Sequence, residues 1–112
     1  METIGREELR RLLEQDAVTL VEALPAVQYE AGHLPQALNL PGTALTPQDA
    51  ARLVPDRART VVTYCSGPGC SRSRVVAGAF VRLGYDDVRV YSGGKADWLE
   101  AGLPLMVNTP AA

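Results

Sequence analysis

The stretch that decides the fold is residues 60–84, TVVTYCSGPGCSRSRVVAGAFVRLG. It opens with Thr60–Tyr64, a run rich in β-branched side chains, which predicts a strand. A glycine-rich loop follows, and the apolar residues beyond it recur at helical spacing and end at Gly84, a typical helix C-cap. A strand, a tight loop and a helix in this order indicate part of a crossover unit in an α/β protein.

The same alternation of strand and helix continues on both sides of this stretch. Strands are predicted at residues 17–21, 37–40 and 88–91, and helices at residues 5–16, 47–54 and 96–101. Thr46 and Asp49 have the spacing of a capping box at the start of the middle helix, whereas the prolines between residues 25 and 41 predict turns. We therefore expect an α/β fold with a mainly parallel central sheet of about five short strands and helices on both faces.

The length, net charge and apolar runs of the chain indicate one domain and argue against nucleic-acid and membrane partners. A chain of 112 residues suits one domain, which we place at residues 1–107, with a short C-terminal tail at residues 108–112. The net charge of −2 argues against a nucleic-acid partner, because such binding depends on clustered lysine and arginine. The longest near-apolar run, residues 75–81, is too short to span a membrane, so no membrane partner is expected.

The N-terminal residues do not resemble a secretory signal, and we expect a cytoplasmic, reducing compartment. In that compartment Cys65 and Cys70 are expected to be thiols rather than a structural disulfide. Two cysteines and one histidine do not complete a zinc site of four ligands. We therefore expect no metal and no cofactor.

Cys65 lies where the predicted central strand ends, which is the edge at which open α/β sheets bind ligands. The amides of a glycine-rich loop and the N-terminus of the next helix favour an anion, so we expect the pKa of Cys65 to fall and its thiolate to be nucleophilic. On these residues alone, the alternative is a small buried side chain at a strand end. The predicted active-site loop comprises Ser66, Gly67, Pro68, Gly69, Cys70, Ser71 and Arg72.

Three stretches of the chain form a recognisable series: YEAGHLPQALNLP at residues 29–41, TYC at residues 63–65 and SGGKADWLEAGLP at residues 92–104. In this order and at these separations they resemble the rhodanese family of single-domain sulfurtransferases. The resemblance covers nearly the whole chain and implies one rhodanese-like domain with Cys65 as the catalytic nucleophile. It also implies that His33, in the first stretch, has a structural role and hydrogen-bonds the backbone.

The resemblance implies persulfide chemistry. Cys65 would take a sulfane sulfur from a small donor, thiosulfate or a low-molecular-weight persulfide, and hold it as an anionic persulfide. It would then pass the sulfur to a thiophilic acceptor, namely cyanide, a small thiol or a protein thiol. The chemistry needs an anion cradle before and after transfer, which a glycine-rich loop supplies.

The chain departs from the family pattern at several positions. Many members carry an arginine five residues after the nucleophile, where this chain has Cys70; the nearest arginine is Arg72, in a loop that is two residues longer. Pro68 removes one amide donor from the loop. Of the family's acid–arginine pair after the first strand only Glu22 remains, and Lys95 is expected to be an exposed lysine.

Two interpretations of Cys70 stay open. It is either a resolving thiol, which attacks a persulfide or sulfenate on Cys65 and leaves a Cys65–Cys70 disulfide, or a passive residue at the start of a helix. The first interpretation supports an alternative function, a thiol–disulfide redox or peroxide-sensing protein. A phosphatase would require an arginine six residues after the nucleophile, where this chain has Ser71.

Overall fold

Strands and helices alternate through the computed structural model, which describes residues 1–41 and 45–107. The strands are β1 (Glu2–Thr3), β2 (Val18–Glu22), β3 (Leu38–Asn39), β4 (Thr60–Tyr64) and β5 (Val88–Tyr91). The helices are α1 (Arg6–Glu14), α2 (Ala26–Ala31), α3 (Pro47–Leu53), α4 (Arg72–Arg82) and α5 (Gly94–Glu100). The predicted tail, residues 108–112, lies outside the described residues.

The strands form one parallel sheet in the order β1-β5-β4-β2-β3. β4 lies at its centre, where Thr63 pairs with Val21 of β2 on one side and with Val90 of β5 on the other. Because helices connect parallel strands, each crossover returns the chain to the same edge of the sheet. The predicted parallel α/β fold is confirmed.

Apolar cores cover both faces of the sheet. Val61 of β4 belongs to the core under α3 and α4, with Phe80 of α4. Its neighbour Val62 belongs to the opposite core under α1 and α5, with Leu9 and Trp98. Successive side chains of a strand point to opposite faces, so a central β-branched run supplies both cores at once. Helices therefore lie on both faces, as predicted.

Capping residues set two of the helix boundaries. The Thr46 hydroxyl accepts a hydrogen bond from the Asp49 amide at 3.1 Å, which forms the predicted capping box of α3. Gly84, with φ of +91°, follows α4 in the left-handed conformation that a glycine C-cap provides. None of the helices in the described ranges is long and apolar enough to cross a membrane.

Two elements were not predicted, and one was predicted too short. β1 has two residues, which is too few to show an alternating pattern. α2 occupies the stretch where prolines predicted turns, because Pro25 is its N-cap and does not interrupt it. α5 begins at Gly94, two residues before the predicted start at Ala96, since the paired glycines enter the helix.

Candidate active site

Cys65 directly follows β4, at the carboxyl edge of the sheet, and only 2% of its surface is exposed. The start of α4 is tied to the same strand, because the Thr63 hydroxyl donates to the Ser73 carbonyl at 2.8 Å. Strand and helix therefore fix the two ends of the predicted loop. Its last member, Arg72, is the first residue of α4.

The loop folds back on itself and joins Cys65 to Cys70 in a disulfide. The Cys70 amide donates to the Gly67 carbonyl at 3.1 Å, which closes the turn. The Cα atoms of the two cysteines are 6.3 Å apart, within the range that disulfides span. The expectation of two free thiols is wrong for this structure, since the turn brings together sulfurs that a regular helix would separate.

A buried hydroxyl contacts the Cys65 sulfur, and the loop that follows Cys65 contains amides without a backbone acceptor. The Ser73 hydroxyl is 3.4 Å from Cys65 Sγ and donates to it, because a disulfide sulfur carries no hydrogen. Ser73 is 2% exposed, and sequence reasoning did not assign it to the site. Among the described residues, loop amides lack a backbone acceptor at Ser66, Gly67, Gly69 and Ser71. Free amides of this kind are what an anion-binding loop uses.

The N-terminal end of α5 supports the start of the loop. The Lys95 amide donates to the Cys65 carbonyl at 3.1 Å, and the Ala96 amide donates to the Ser66 carbonyl at 2.9 Å. Gly94 has φ of +58°. A Cβ at Gly94 would collide with the Cys65 carbonyl and lie 3.0 Å from the Ser66 carbonyl carbon. A glycine is therefore required where α5 meets the loop.

A buried charge pair links β2, β4 and α5 beneath the loop. Glu22 has no exposed surface, and its Oε1 accepts a hydrogen bond from the Tyr64 hydroxyl at 2.7 Å. Lys95 Nζ lies 3.1 Å from Oε2 in an ion pair, although its oblique approach falls outside hydrogen-bond geometry. Nζ donates instead to the Gln28 carbonyl at 3.0 Å.

Lys95 is thus not the exposed lysine that the sequence predicted, since only 14% of its side chain is exposed. Glu22, the remaining member of the family's charge pair, finds its cation on α5 and not in the next residues of the chain. Sequence spacing gives no signal for this partner, because the two residues are brought together by the sheet.

Tyr64 is the neutral member of this network. Burial raises the pKa of its hydroxyl, and the hydrogen bond to the Glu22 carboxylate raises it further. The hydroxyl also accepts a hydrogen bond from the Leu34 amide at 3.0 Å. It therefore stays protonated and connects β4 to the segment that follows α2.

His33 contacts the fold away from the sulfurs. Its ring stacks on Tyr29 with centroids 4.0 Å apart, and Nδ1 lies 2.9 Å from the Tyr29 carbonyl. Its backbone pairs with Met106 in an antiparallel bridge. The side chain hydrogen-bonds the backbone, as expected from its place in the first of the three stretches.

An open groove of about 260 Å³ runs beside the loop. Its lining includes Ser66, the aliphatic side chains of Leu24 and Leu105, and the half-buried Lys95. Arg72 and Arg74, at the start of α4, are exposed. Neither guanidinium has an ion-pair partner in the part of the chain that the structure describes. These two arginines are therefore the cations near the loop that remain available to an anionic ligand.

Comparison with known proteins agrees with this geometry. The family model of the rhodanese-like domain matches residues 5–101. The chain belongs to the rhodanese-like domain family. The five-stranded parallel sheet of this chain is the fold that it shares with solved rhodanese-like domains.

Several individual proteins are similar to this chain. It is 38% identical to the HTH-type transcriptional regulator Rv0324 of Mycobacterium tuberculosis, over 97% of this chain and 46% of the regulator. The BH2092 protein of Bacillus halodurans has a TM-score of 0.86 at 23% identity, covering 95% of this chain and 77% of that one. A human single-domain sulfurtransferase has a TM-score of 0.72 at 25% identity, covering 89% and 96%. The chain spans about half the length of the curated relatives it matches.

Proposed function

We propose that this rhodanese-like domain is a sulfurtransferase that carries sulfane sulfur as a persulfide on Cys65. One observation supports this most strongly. The Cys65 sulfur lies at the carboxyl end of the central strand, with the Ser73 hydroxyl 3.4 Å away. It opens a loop whose free amides suit an anion. Family membership supports the same class of reaction.

The reaction begins with the reduced protein, because the disulfide must open before Cys65 can act as a nucleophile. The Cys65 thiolate attacks the sulfane sulfur of thiosulfate or of a low-molecular-weight persulfide, and the sulfur–sulfur bond of the donor breaks. Sulfite or a thiolate leaves with the electron pair, and Cys65 keeps the sulfur as an anionic persulfide. An acceptor thiolate or cyanide then attacks that outer sulfur, and the Cys65 thiolate is regenerated.

The exposed arginines at the start of α4 favour an anionic sulfur donor. The groove next to Ser66 favours an uncharged part of a ligand. Arg72 and Arg74 are exposed beside the loop and attract an anion locally, although the net charge of the chain is −2. The groove next to Ser66 has aliphatic walls, and its cation, Lys95, is already paired with Glu22. The groove therefore suits the carbon skeleton of a thiol acceptor, small or on a protein.

Single cysteine variants test this function. Sulfur transfer from thiosulfate to cyanide is measured as thiocyanate formed, with excess thiol present to keep the protein reduced. Cys65→Ser is expected to lose transfer to the level of the buffer, since the nucleophile is gone. Cys70→Ser, which differs at the other sulfur of the same loop, is expected to retain it. Activity in Cys65→Ser equal to that of the wild type would refute the assignment.

A second candidate function is a thiol–disulfide switch that responds to peroxide. The Cys65–Cys70 disulfide supports it, and so does the likeness to an HTH-type transcriptional regulator. The two functions differ in their need for Cys70. Peroxide treatment of the reduced protein forms the disulfide in either case, but a sensor requires both cysteines for its response, whereas sulfur transfer requires Cys65 alone.

A further inference from the structure

Cys70 lies next to Cys65, whose sulfur would carry the persulfide. This position allows the Cys70 thiol to react with that persulfide. We propose that Cys70 discharges the persulfide within the chain, so that the domain releases the transferred sulfur as hydrogen sulfide. The inference rests on the proposed function, because it needs a persulfide on Cys65. It adds a product, sulfide, and an end state, the Cys65–Cys70 disulfide.

The step balances as a thiol–disulfide exchange. The Cys70 thiolate attacks Cys65 Sγ, the inner sulfur of the persulfide, and a bond forms between the two cysteine sulfurs. The bond between Cys65 Sγ and the outer sulfur breaks, and the outer sulfur leaves with the electron pair as hydrosulfide. The proton that Cys70 loses on forming its thiolate is taken up by the outer sulfur, so the anionic persulfide releases HS⁻ and not S²⁻. The sulfane sulfur is reduced to sulfide, and the two cysteines are oxidised to the disulfide.

The geometry directs the attack to the inner sulfur. The structure joins Cys70 Sγ to Cys65 Sγ itself, with Cα atoms 6.3 Å apart. The Gly67–Cys70 turn that sets this distance is part of the loop's own backbone. A thiol held by a closed turn reacts as though its concentration were far above that of a free thiol in solution. Attack on the outer sulfur would instead need Cys70 to retreat from its observed contact.

Burial strengthens the advantage of the internal thiol. Cys65 is 2% exposed, so an external acceptor must enter the loop to reach its sulfur. Cys70 lies within the loop and is partly exposed, which lets a solvent thiol reach the completed disulfide from the Cys70 side. Two equivalents of a low-molecular-weight thiol then restore the dithiol and form one external disulfide.

The test compares reduced wild type with Cys70→Ser and Cys70→Ala, each mixed with one equivalent of glutathione persulfide and then desalted. Sulfide is followed with a sulfide-selective electrode, and the protein by intact mass. Wild type is expected to release one sulfide per chain and to lose two hydrogens. Both Cys70 variants are expected to keep one added sulfur atom and to release sulfide only after dithiothreitol is added. Two different replacements guard against a folding defect in either.

Three results would overturn the inference in distinguishable ways. If the Cys70 variants and the wild type all take up sulfur and release sulfide at the same rate, internal discharge by Cys70 is wrong while persulfide formation on Cys65 stands. If neither the wild type nor the variants take up sulfur from glutathione persulfide or from thiosulfate, the proposed function itself fails, and the inference fails with it. Transfer of the added sulfur from Cys65 to Cys70, seen by peptide mapping, would also contradict the inner-sulfur attack.

Discussion

At the scale of single residues, Ser73 has the contact most specific to the chemistry. Its buried hydroxyl donates to the Cys65 sulfur, and a hydrogen bond to a charged acceptor is stronger than one to a neutral acceptor. We expect the same contact to stabilise the thiolate and the anionic persulfide that the proposed function places on Cys65. A serine in the first turn of a helix is ordinary in sequence, so only the structure separates Ser73 from its neighbours.

We predict that Ser73→Ala makes Cys65 less reactive. In a Cys70→Ser background, which keeps Cys65 reduced, the pH midpoint of alkylation by iodoacetamide is expected to rise by about one unit, because one charge-assisted donor is lost. The parent Cys70→Ser protein is the control. An unchanged midpoint would show that Ser73 does not stabilise the thiolate.

Tyr64 carries a second prediction at this scale. Tyr64→Phe removes the donor to Glu22 and the acceptor of the Leu34 amide, both in the buried interior. We expect a loss of about 1–3 kcal/mol in the free energy of unfolding, since buried polar groups lose their partners. Urea denaturation measures it. Tyr85→Phe is a matched comparison, because it also removes one buried hydroxyl, which donates to the Val54 carbonyl at 2.5 Å, but it takes no hydrogen bond away from a charged group. An equal loss of unfolding free energy in Tyr64→Phe and Tyr85→Phe would contradict an additional destabilisation from the lost hydrogen bond to Glu22.

At the scale of elements, α5 positions the loop through Lys95 and Gly94. Lys95→Met would leave the Glu22 carboxylate buried without its cation, and we expect a loss of about 3–5 kcal/mol in the free energy of unfolding. Lys95→Arg keeps the charge and is expected to recover part of that loss. A Lys95→Met protein as stable as the wild type in urea would show that the ion pair does not support α5.

Gly94→Ala tests the contact between α5 and the loop by shape rather than charge. The added Cβ collides with the Cys65 carbonyl at a left-handed backbone position. We expect sulfur loading of Cys65 to slow by about tenfold or more, because a small displacement of a reacting atom is costly. Gly102→Ala is the matched control, since Gly102 is also left-handed but nothing lies within 4 Å of its added Cβ. Equal loading in both variants would argue against the contact.

A second pair of elements gives a pH-dependent prediction. Asp87, just before β5, accepts from Arg89 Nε at 3.0 Å and from the Thr60 hydroxyl at 2.9 Å. The hydrogen bond from Arg89 is the main cause that holds the pKa of Asp87 below its usual value of 3.8. Because the folded pKa is lowered, the carboxylate stabilises the fold above the unfolded pKa, and that contribution is lost as the pH falls through the folded pKa.

Asp87→Asn is therefore expected to lower the free energy of unfolding at about pH 7 by up to about 1 kcal/mol, the range for partly exposed pairs. The difference from the wild type should shrink at about pH 3. Urea denaturation at both pH values measures it, with the exposed neighbour Asp86→Asn as control. A difference that is constant with pH would rule out the carboxylate as its cause.

The elements also show what sequence can supply. Local patterns predicted β4 residue for residue and the capping box of α3, because a β-branched run and a Thr–Asp spacing act within a few neighbours. The prediction that Lys95 is exposed was wrong because its partner Glu22 is remote in sequence, and only the folded sheet brings the two residues together. The Cys65–Cys70 contact depends on the turn of a loop, which composition favours but does not fix.

At the scale of the whole molecule, the site follows from the order of the strands. β4 is central, so its carboxyl end lies between the segments that follow β2 and β5. Those segments supply the groove on one side and α5 on the other. In the proposed function, the sulfur of Cys65 is reached through this edge of the sheet, while the surrounding elements keep the cysteine buried.

The measurement that tests the central claim most directly is the intact mass of the reduced protein after incubation with thiosulfate. Cys70→Ser is used so that any persulfide is retained, and Cys65→Ser is the comparison. We predict that Cys70→Ser gains one sulfur atom that dithiothreitol removes, and that Cys65→Ser gains none. A sulfur atom on Cys65→Ser, or none on Cys70→Ser with either thiosulfate or a persulfide donor, would contradict persulfide carriage by Cys65.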